Sequence, residues 1–198
     1  MEQAPAFRAL LEAAGAPLGK WPTFASRVSV QRFDAGATVF AQGEEDPSIY
    51  AVRSGLIKLV YLSDAGDEWI KSFIPEGQYF ASLSALEHGG ETAFAATALE
   101  GSVVERLAWA DIERQISADA GWARAVVAMV MAFAARKERR ERELLTLTPE
   151  QRYIAFAAAD PALERRIPQK DLARHLGVTP VGLNRIIRRV RAKPRQRP

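Results

Sequence analysis

The chain has 198 residues, 48% of them hydrophobic, which is enough for one core or two small ones and excludes a disordered polymer. Its net charge of +3 hides a division: residues 1–135 carry 10 basic against 17 acidic side chains, whereas residues 136–198 carry 17 against 7. A basic last third suits a polyanionic partner, and the absence of cysteine excludes disulfides, thiolate-held zinc and cysteine-held iron–sulfur clusters.

No apolar run approaches the ~20 residues that span a bilayer, and the start lacks the charged and apolar succession of a signal peptide. A cytoplasmic chain without a membrane partner is expected. Phe7, Leu10, Leu11 and Ala14 fall at helical spacing before Gly15, Pro17 and Gly19, which predicts a short leading helix and a loop.

From Val28 to about Leu107 the pattern changes to short runs rich in β-branched and aromatic residues. They are separated by turn signals at 34–36, 42–47, 53–55, 63–67 and 75–77, a spacing expected of an antiparallel sandwich or barrel. Ile57, Leu59 and Tyr61 precede the Asp/Gly turn and Trp69, Lys71 and Phe73 follow it, which predicts a hairpin.

Residues 110–116 read as a short helix and residues 120–145 as a long one. On the long helix Trp122, Val126, Met129 and Phe133 alternate steps of four and three, the a/d spacing of a dimeric coiled-coil seam. Packing of this stripe on its own β-rich part is the alternative, since it needs only one chain. Beyond Ala135 the helix is polar, with opposite charges at 137/141, 138/142 and 139/143, and reads as solvated with a hinge after it. Thr148 then caps a new helix with Pro149 at its first position, and Asp160-Pro161 ends it.

The stretch Ile167–Val190 has the spacing of a helix-turn-helix. Leu172, Ala173 and Leu176 make an apolar stripe, Gly177 stands at the turn, Thr179 caps the second helix, and Pro180 occupies its first position. Leu183 and Ile186 would face the first helix, leaving Val181, Arg185, Arg188, Arg189 and Arg191 outward. The second helix of such a motif enters the major groove. A helical hairpin with solvated arginines is the alternative.

With this motif in view, Phe33–Gly36, Val39–Gly43, Ile49–Leu59 and Pro75–Phe80 resemble the glycine-punctuated β-roll of a cyclic-nucleotide-binding domain. Residues 25–192 as a whole resemble the Crp/Fnr superfamily of bacterial transcription regulators. The resemblance implies an α+β fold: an antiparallel β-roll with a leading helix over 1–118, a long dimerisation helix and hinge over 119–145, and a helix-turn-helix domain with a basic tail over 146–198. It also implies double-stranded DNA and a second copy of the chain as partners, with RNA polymerase a further candidate.

In the family a Gly-Glu pair and an Arg-Ser or Arg-Thr pair hold a cyclic nucleotide. Here Ala81 and Ser82 stand for the first pair and Thr92 and Ala93 for the second, with Leu83 beside them. This effector pocket is degenerate, because a cyclic phosphate without its guanidinium would forfeit ~2 kcal/mol or more. Tight cyclic-AMP binding is therefore not expected, and any effector is unknown. No cofactor or metal is expected either, since His88 in a Gly-rich loop and His175 inside the helix-turn-helix are the only histidines.

On the DNA side, matching positions imply that Arg185, Val181 and Pro180 meet bases, Arg185 by holding guanine O6 and N7 together. Gln169, Lys170, Thr179, Arg188, Arg189 and Arg191 would meet phosphates. Val181 stands where the family commonly has Glu, so it offers only apolar contact, for instance to a thymine methyl. The last eight residues, from Arg191, read as a flexible basic tail in place of the family's closing β-hairpin. No nucleophile–base pair or metal cluster suggests an enzyme. The competing reading is a β-roll interaction module whose helix-turn-helix binds DNA without sequence preference.

Overall fold

The computed structural model describes residues 5–87 and 89–192; His88 and the tail at 193–198 lie outside the described residues. The chain divides into two compact units, Met1–Phe133 and Ala134–Pro198.

The first unit opens with helices α1 (Ala6–Ala13) and α2 (Trp21–Ala25). Eight strands follow among the described residues: β1 (Ser29–Phe33), β2 (Thr38–Phe40), β3 (Ser48–Ser54), β4 (Ile57–Leu62), β5 (Glu68–Ile74), β6 (Tyr79–Phe80), β7 (Ala95–Ala98) and β8 (Ser102–Ala108). They form two antiparallel four-stranded sheets, ordered β1-β8-β3-β6 and β2-β7-β4-β5. The expected hairpin is β4–β5, with Ile57 opposite Ile74 and Tyr61 opposite Trp69. Its turn closes through Gly66 N–H on Ser63 O, 2.9 Å.

Successive strand side chains alternate between faces, and this alternation builds two cores from one sheet. Tyr50 and Val52 of β3, with Phe80 of β6, point between the sheets to join Phe40, Leu59, Phe94 and Val104. Ile49 and Ala51 of β3, with Tyr79 of β6, join a second cluster instead, with Phe7, Leu11, Phe24, Leu107 and Ile112. Gly55 ends β3 at φ 91°, and any Cβ there would stand 2.2 Å from Ser102 Oγ. Only glycine fits.

Helices α3 (Trp109–Ala118) and α4 (Ala120–Thr146) complete the outer layer. The seam expected on α4 is used within the chain. Trp122 is buried against Phe24, 4.7 Å between ring centroids, and Val126 and Met129 pack on the same cluster. Tyr79 donates its hydroxyl to Met129 O at 2.5 Å. Three of the four stripe residues, Trp122, Val126 and Met129, thus pack within the chain. About 120° round the helix, Val127, Val130, Met131 and Ala134 form a separate stripe, with Val127 60% and Met131 64% exposed.

Helix α1 is fixed by a buried charge. Glu105 of β8 is fully buried and accepts from Ala6 N (2.9 Å) and Phe7 N (2.7 Å), two of the donors a helix start leaves without intrahelical partners. Its remaining capacity goes to Arg53 Nε. No described helix is long and apolar enough to cross a membrane.

Replacing Glu105 by Ala strands two backbone donors and the Arg53 guanidinium, so Glu105→Ala is expected to cost about 2–4 kcal/mol in urea unfolding. Glu105→Gln, which keeps an acceptor oxygen, should cost less. A Glu105→Ala protein as stable as its parent would contradict the role assigned to this carboxylate.

Candidate nucleic-acid interface and the filled roll

In the second unit, α5 (Pro149–Ala159) starts at a full capping box: Thr148 Oγ1 accepts from Gln151 N (3.3 Å) and Thr148 N donates to Gln151 Oε1 (2.9 Å). Asp160 ends α5 and caps α6 (Pro161–Arg166), accepting from Ala162 N and Leu163 N at 3.0 and 2.8 Å. That extra helical turn lies where only a connection to the motif was expected.

The helix-turn-helix is α7 (Gln169–Leu176) and α8 (Pro180–Ala192). Gly177 turns the chain at φ 71°, and Val178 N–H reaches back to Ala173 O at 3.0 Å. Thr179 Oγ1 accepts from Gly182 N at 3.1 Å, so the cap forms although Gly182 supplies no reciprocal acceptor. Leu172, Ala173 and Leu176 of α7 and Leu183, Ile186 and Ile187 of α8 are buried, so both helices are committed to one core.

This burial decides what faces out. Pro180, Val181, Arg185, Arg188 and Arg191 are all exposed on α8, as are Gln169 and Lys170 on the first turn of α7 and Thr179 at the turn. Arg189 is also exposed, but its Nη1 sits 2.9 Å from Glu150 Oε2 of α5. Part of its charge is thereby answered within the chain. One exposed residue escaped sequence reading. Asn184 lies three residues after Val181 and four before Arg188, on the same stripe, and its amide can pair with adenine N6 and N7. The spacing alone identifies it.

Two arginines that read as solvated or unremarkable hold the motif from beneath. Arg152 of α5 donates to Leu176 O (3.1 Å) at the end of α7, and to Leu144 O (3.1 Å) and Leu147 O (2.9 Å) at the end of α4. Arg140 donates to His175 O. Burial lowers the Arg140 pKa, Glu143 opposes that shift and Arg152 adds to it. Each cation answers carbonyls that a helix end leaves open. His175 is buried, with its ring edge-on to Phe156 at 5.5 Å.

The segment expected to line a degenerate effector pocket is closed by its own groups. Ser82 Oγ accepts from Ala93 N (2.9 Å) and lies 3.0 Å from Ser84 Oγ, which donates to Glu91 O (2.7 Å). Thr92 Oγ1 donates to Ala41 O (2.6 Å) and accepts from Glu44 N (3.0 Å). Behind them the rings of Phe40, Tyr50, Phe80 and Phe94 stand 5.2–6.1 Å apart and fill the interior. Of the five positions expected to line the degenerate pocket, Ser82 and Thr92 are buried in this network and Ala93 is exposed. Ala81 and Leu83 face a different cavity, outside the roll.

At the far end of Tyr50 its hydroxyl donates to Asp46 Oδ2 at 2.5 Å, and Arg106 Nη2 meets Asp46 Oδ1 at 2.9 Å. Burial raises the Asp46 pKa, but the hydrogen bonds from Tyr50, Arg106 and Ser48 outweigh it and leave the carboxyl below its ordinary value. Burial first, and then Asp46, push the Tyr50 hydroxyl well up, so it stays protonated as a donor.

Residues 30–119 match the family model of the cyclic nucleotide-binding domain. The fumarate and nitrate reduction regulatory protein of Escherichia coli K12 is 41% identical over 69 residues, covering 35% of this chain and 27% of the relative. Among solved structures, FixK2 from Bradyrhizobium japonicum superposes with a TM-score of 0.72 at 20% identity, over 83% of this chain and 84% of that one. CLP of Xanthomonas campestris, described as a c-di-GMP responsive global regulator, gives 0.70 at 15% identity, over 89% and 92%. The chain thus shares the fold of these solved structures, residues 30–119 are similar to the cyclic nucleotide-binding domain, and the chain spans about a quarter of the length of the curated relative it matches.

Proposed function

We propose that the chain is a cytoplasmic, homodimeric, DNA-binding transcription regulator whose roll does not receive cyclic nucleotides. In this reading residues 1–118 form the sensor part, 119–145 the dimerisation helix and 146–198 the DNA-binding part. The observation that carries it is the exposed face of α8, where Val181, Asn184, Arg185 and Arg188 follow a capped first turn. Arg185 and Asn184 read bases, Val181 and Pro180 offer apolar contact, and Gln169, Lys170, Thr179, Arg188 and Arg191 engage phosphates. Arg189 has the weaker claim because Glu150 competes for it. Trp122, Val126 and Met129 brace the helix on its own roll, and Phe133 with the exposed Val127, Val130, Met131 and Ala134 stripe meets the second copy. Two copies read two half-sites about 34 Å apart. RNA polymerase is the further partner, and no catalytic role is assigned.

Selection from random duplexes tests the DNA reading. A motif with two related half-sites is expected, and enrichment of no sequence would overturn it. Arg185→Ala should cost ~1–3 kcal/mol and relax one position, with Asn184→Ala doing so at a neighbouring position. Lys170→Ala should weaken all duplexes alike and flatten the salt dependence.

For the roll, calorimetry with cyclic AMP should detect no binding tighter than about 1 mM. A submillimolar affinity would mean that the aromatic filling opens.

A further inference from the structure

On the outer side of the β1-β8-β3-β6 sheet lies a partly enclosed cavity of about 220 Å³, lined wholly by residues of the first unit. It is separate from the roll interior, because the pleat that turns Tyr50 and Phe80 inward turns Ile49 and Tyr79 onto this cavity. Phe7 of α1, Trp109 of α3 and Met129 of α4 complete its walls. No charged side chain lines it; of the two lining residues with a polar side-chain group, Tyr79 donates its hydroxyl to Met129 O, and the other is Trp109 with its indole N–H. Leu83 and Val130, each 49% exposed, stand on its lining and mark the way in.

We infer that this cavity is a binding site for a small, uncharged, apolar molecule of alkylbenzene size. A polar ligand entering it would give up its hydrogen bonds to water for at most one side-chain donor, the Trp109 indole N–H. Water is excluded for the same reason, since a buried water needs two to four polar partners. A cavity of about 150 Å³ accommodates benzene, so 220 Å³ holds a somewhat larger molecule. An α-helix from a second copy, about 10 Å across, can cover the mouth but cannot fill the space behind it. The walls come from three helices and from the segment at 81–86, and Glu105 fixes α1 above them. Occupancy therefore presses on α4, the helix proposed to dimerise. Only this regulatory consequence rests on the proposed function; binding itself does not.

The test is titration of the full chain with n-butylbenzene, read by tryptophan emission, since Trp109 lines the cavity, and by melting temperature. A saturable emission change and a raised melting temperature are expected, with no binding of the charged analogue 4-butylbenzoate. Ala81→Leu and Leu86→Phe each add volume to the lining and should weaken butylbenzene by about tenfold or more while the proteins stay folded by circular dichroism. Two variants guard against one failing to fold. The inference is overturned if butylbenzene does not saturate, or if both folded variants bind it as the parent does. It is equally overturned if the variants shift only the monomer–dimer equilibrium, which would make the cavity a dimer contact. Failure of the duplex selection with retained butylbenzene binding would remove the DNA reading and leave the cavity standing.

Discussion

Tyr50 stacks on Phe80 with ring centroids 5.2 Å apart, and the strand pleat that brings these rings together also turns Ile49 and Tyr79 to the opposite face. The two-faced use of β3 and β6 governs the rest of the first unit. Inward, aromatic rings fill the space between the two sheets. Outward, the same strands give α1, α3 and α4 an apolar surface to pack on, and a cavity remains where these helices meet. A one-residue slip of β3 would exchange the faces and destroy both arrangements.

The second unit solves a different problem, that of keeping short helices in place with little core. Leu172, Leu176, Leu183 and Ile187 supply the apolar contact, but α7 has only eight residues and cannot persist on propensity alone. Arg140 and Arg152 add charge-assisted bonds to the open carbonyls at its end, and Arg152 ties the same point to the end of α4. Part of the basic excess of residues 136–198 is therefore structural. Of the remaining basic residues, Arg185, Arg188, Arg189 and Arg191 lie on α8 and Lys170 on the first turn of α7, while Arg136, Lys137, Arg139 and Arg142 lie on α4.

What could be read in the sequence follows from how local each signal is. Gly177, Thr179 and Thr148 act through hydrogen bonds within a few residues, so the turn and both caps were legible from spacing. The β4–β5 hairpin was legible for the same reason. Long-range choices were not. The stripe Trp122, Val126, Met129 and Phe133 has one periodicity whether it meets a second helix or its own roll, and the partners of Trp122 and Met129, Phe24 and Tyr79, are distant in sequence. The partners of Arg140 and Arg152 lie 35 and 24 residues away, beyond any i,i+4 rule. Asn184, an uncharged amide three residues after Val181, carries no charge signal, and only its helical spacing marks it.

The proposed regulator requires two copies of α8 to read one duplex from the same side. Its most direct test compares affinity for a selected duplex with that for the same duplex carrying about 5 extra base pairs between half-sites, half a helical turn. The account predicts a loss of about a hundredfold or more, because the second half-site then faces away from its reader. Equal affinity for both spacings would contradict it.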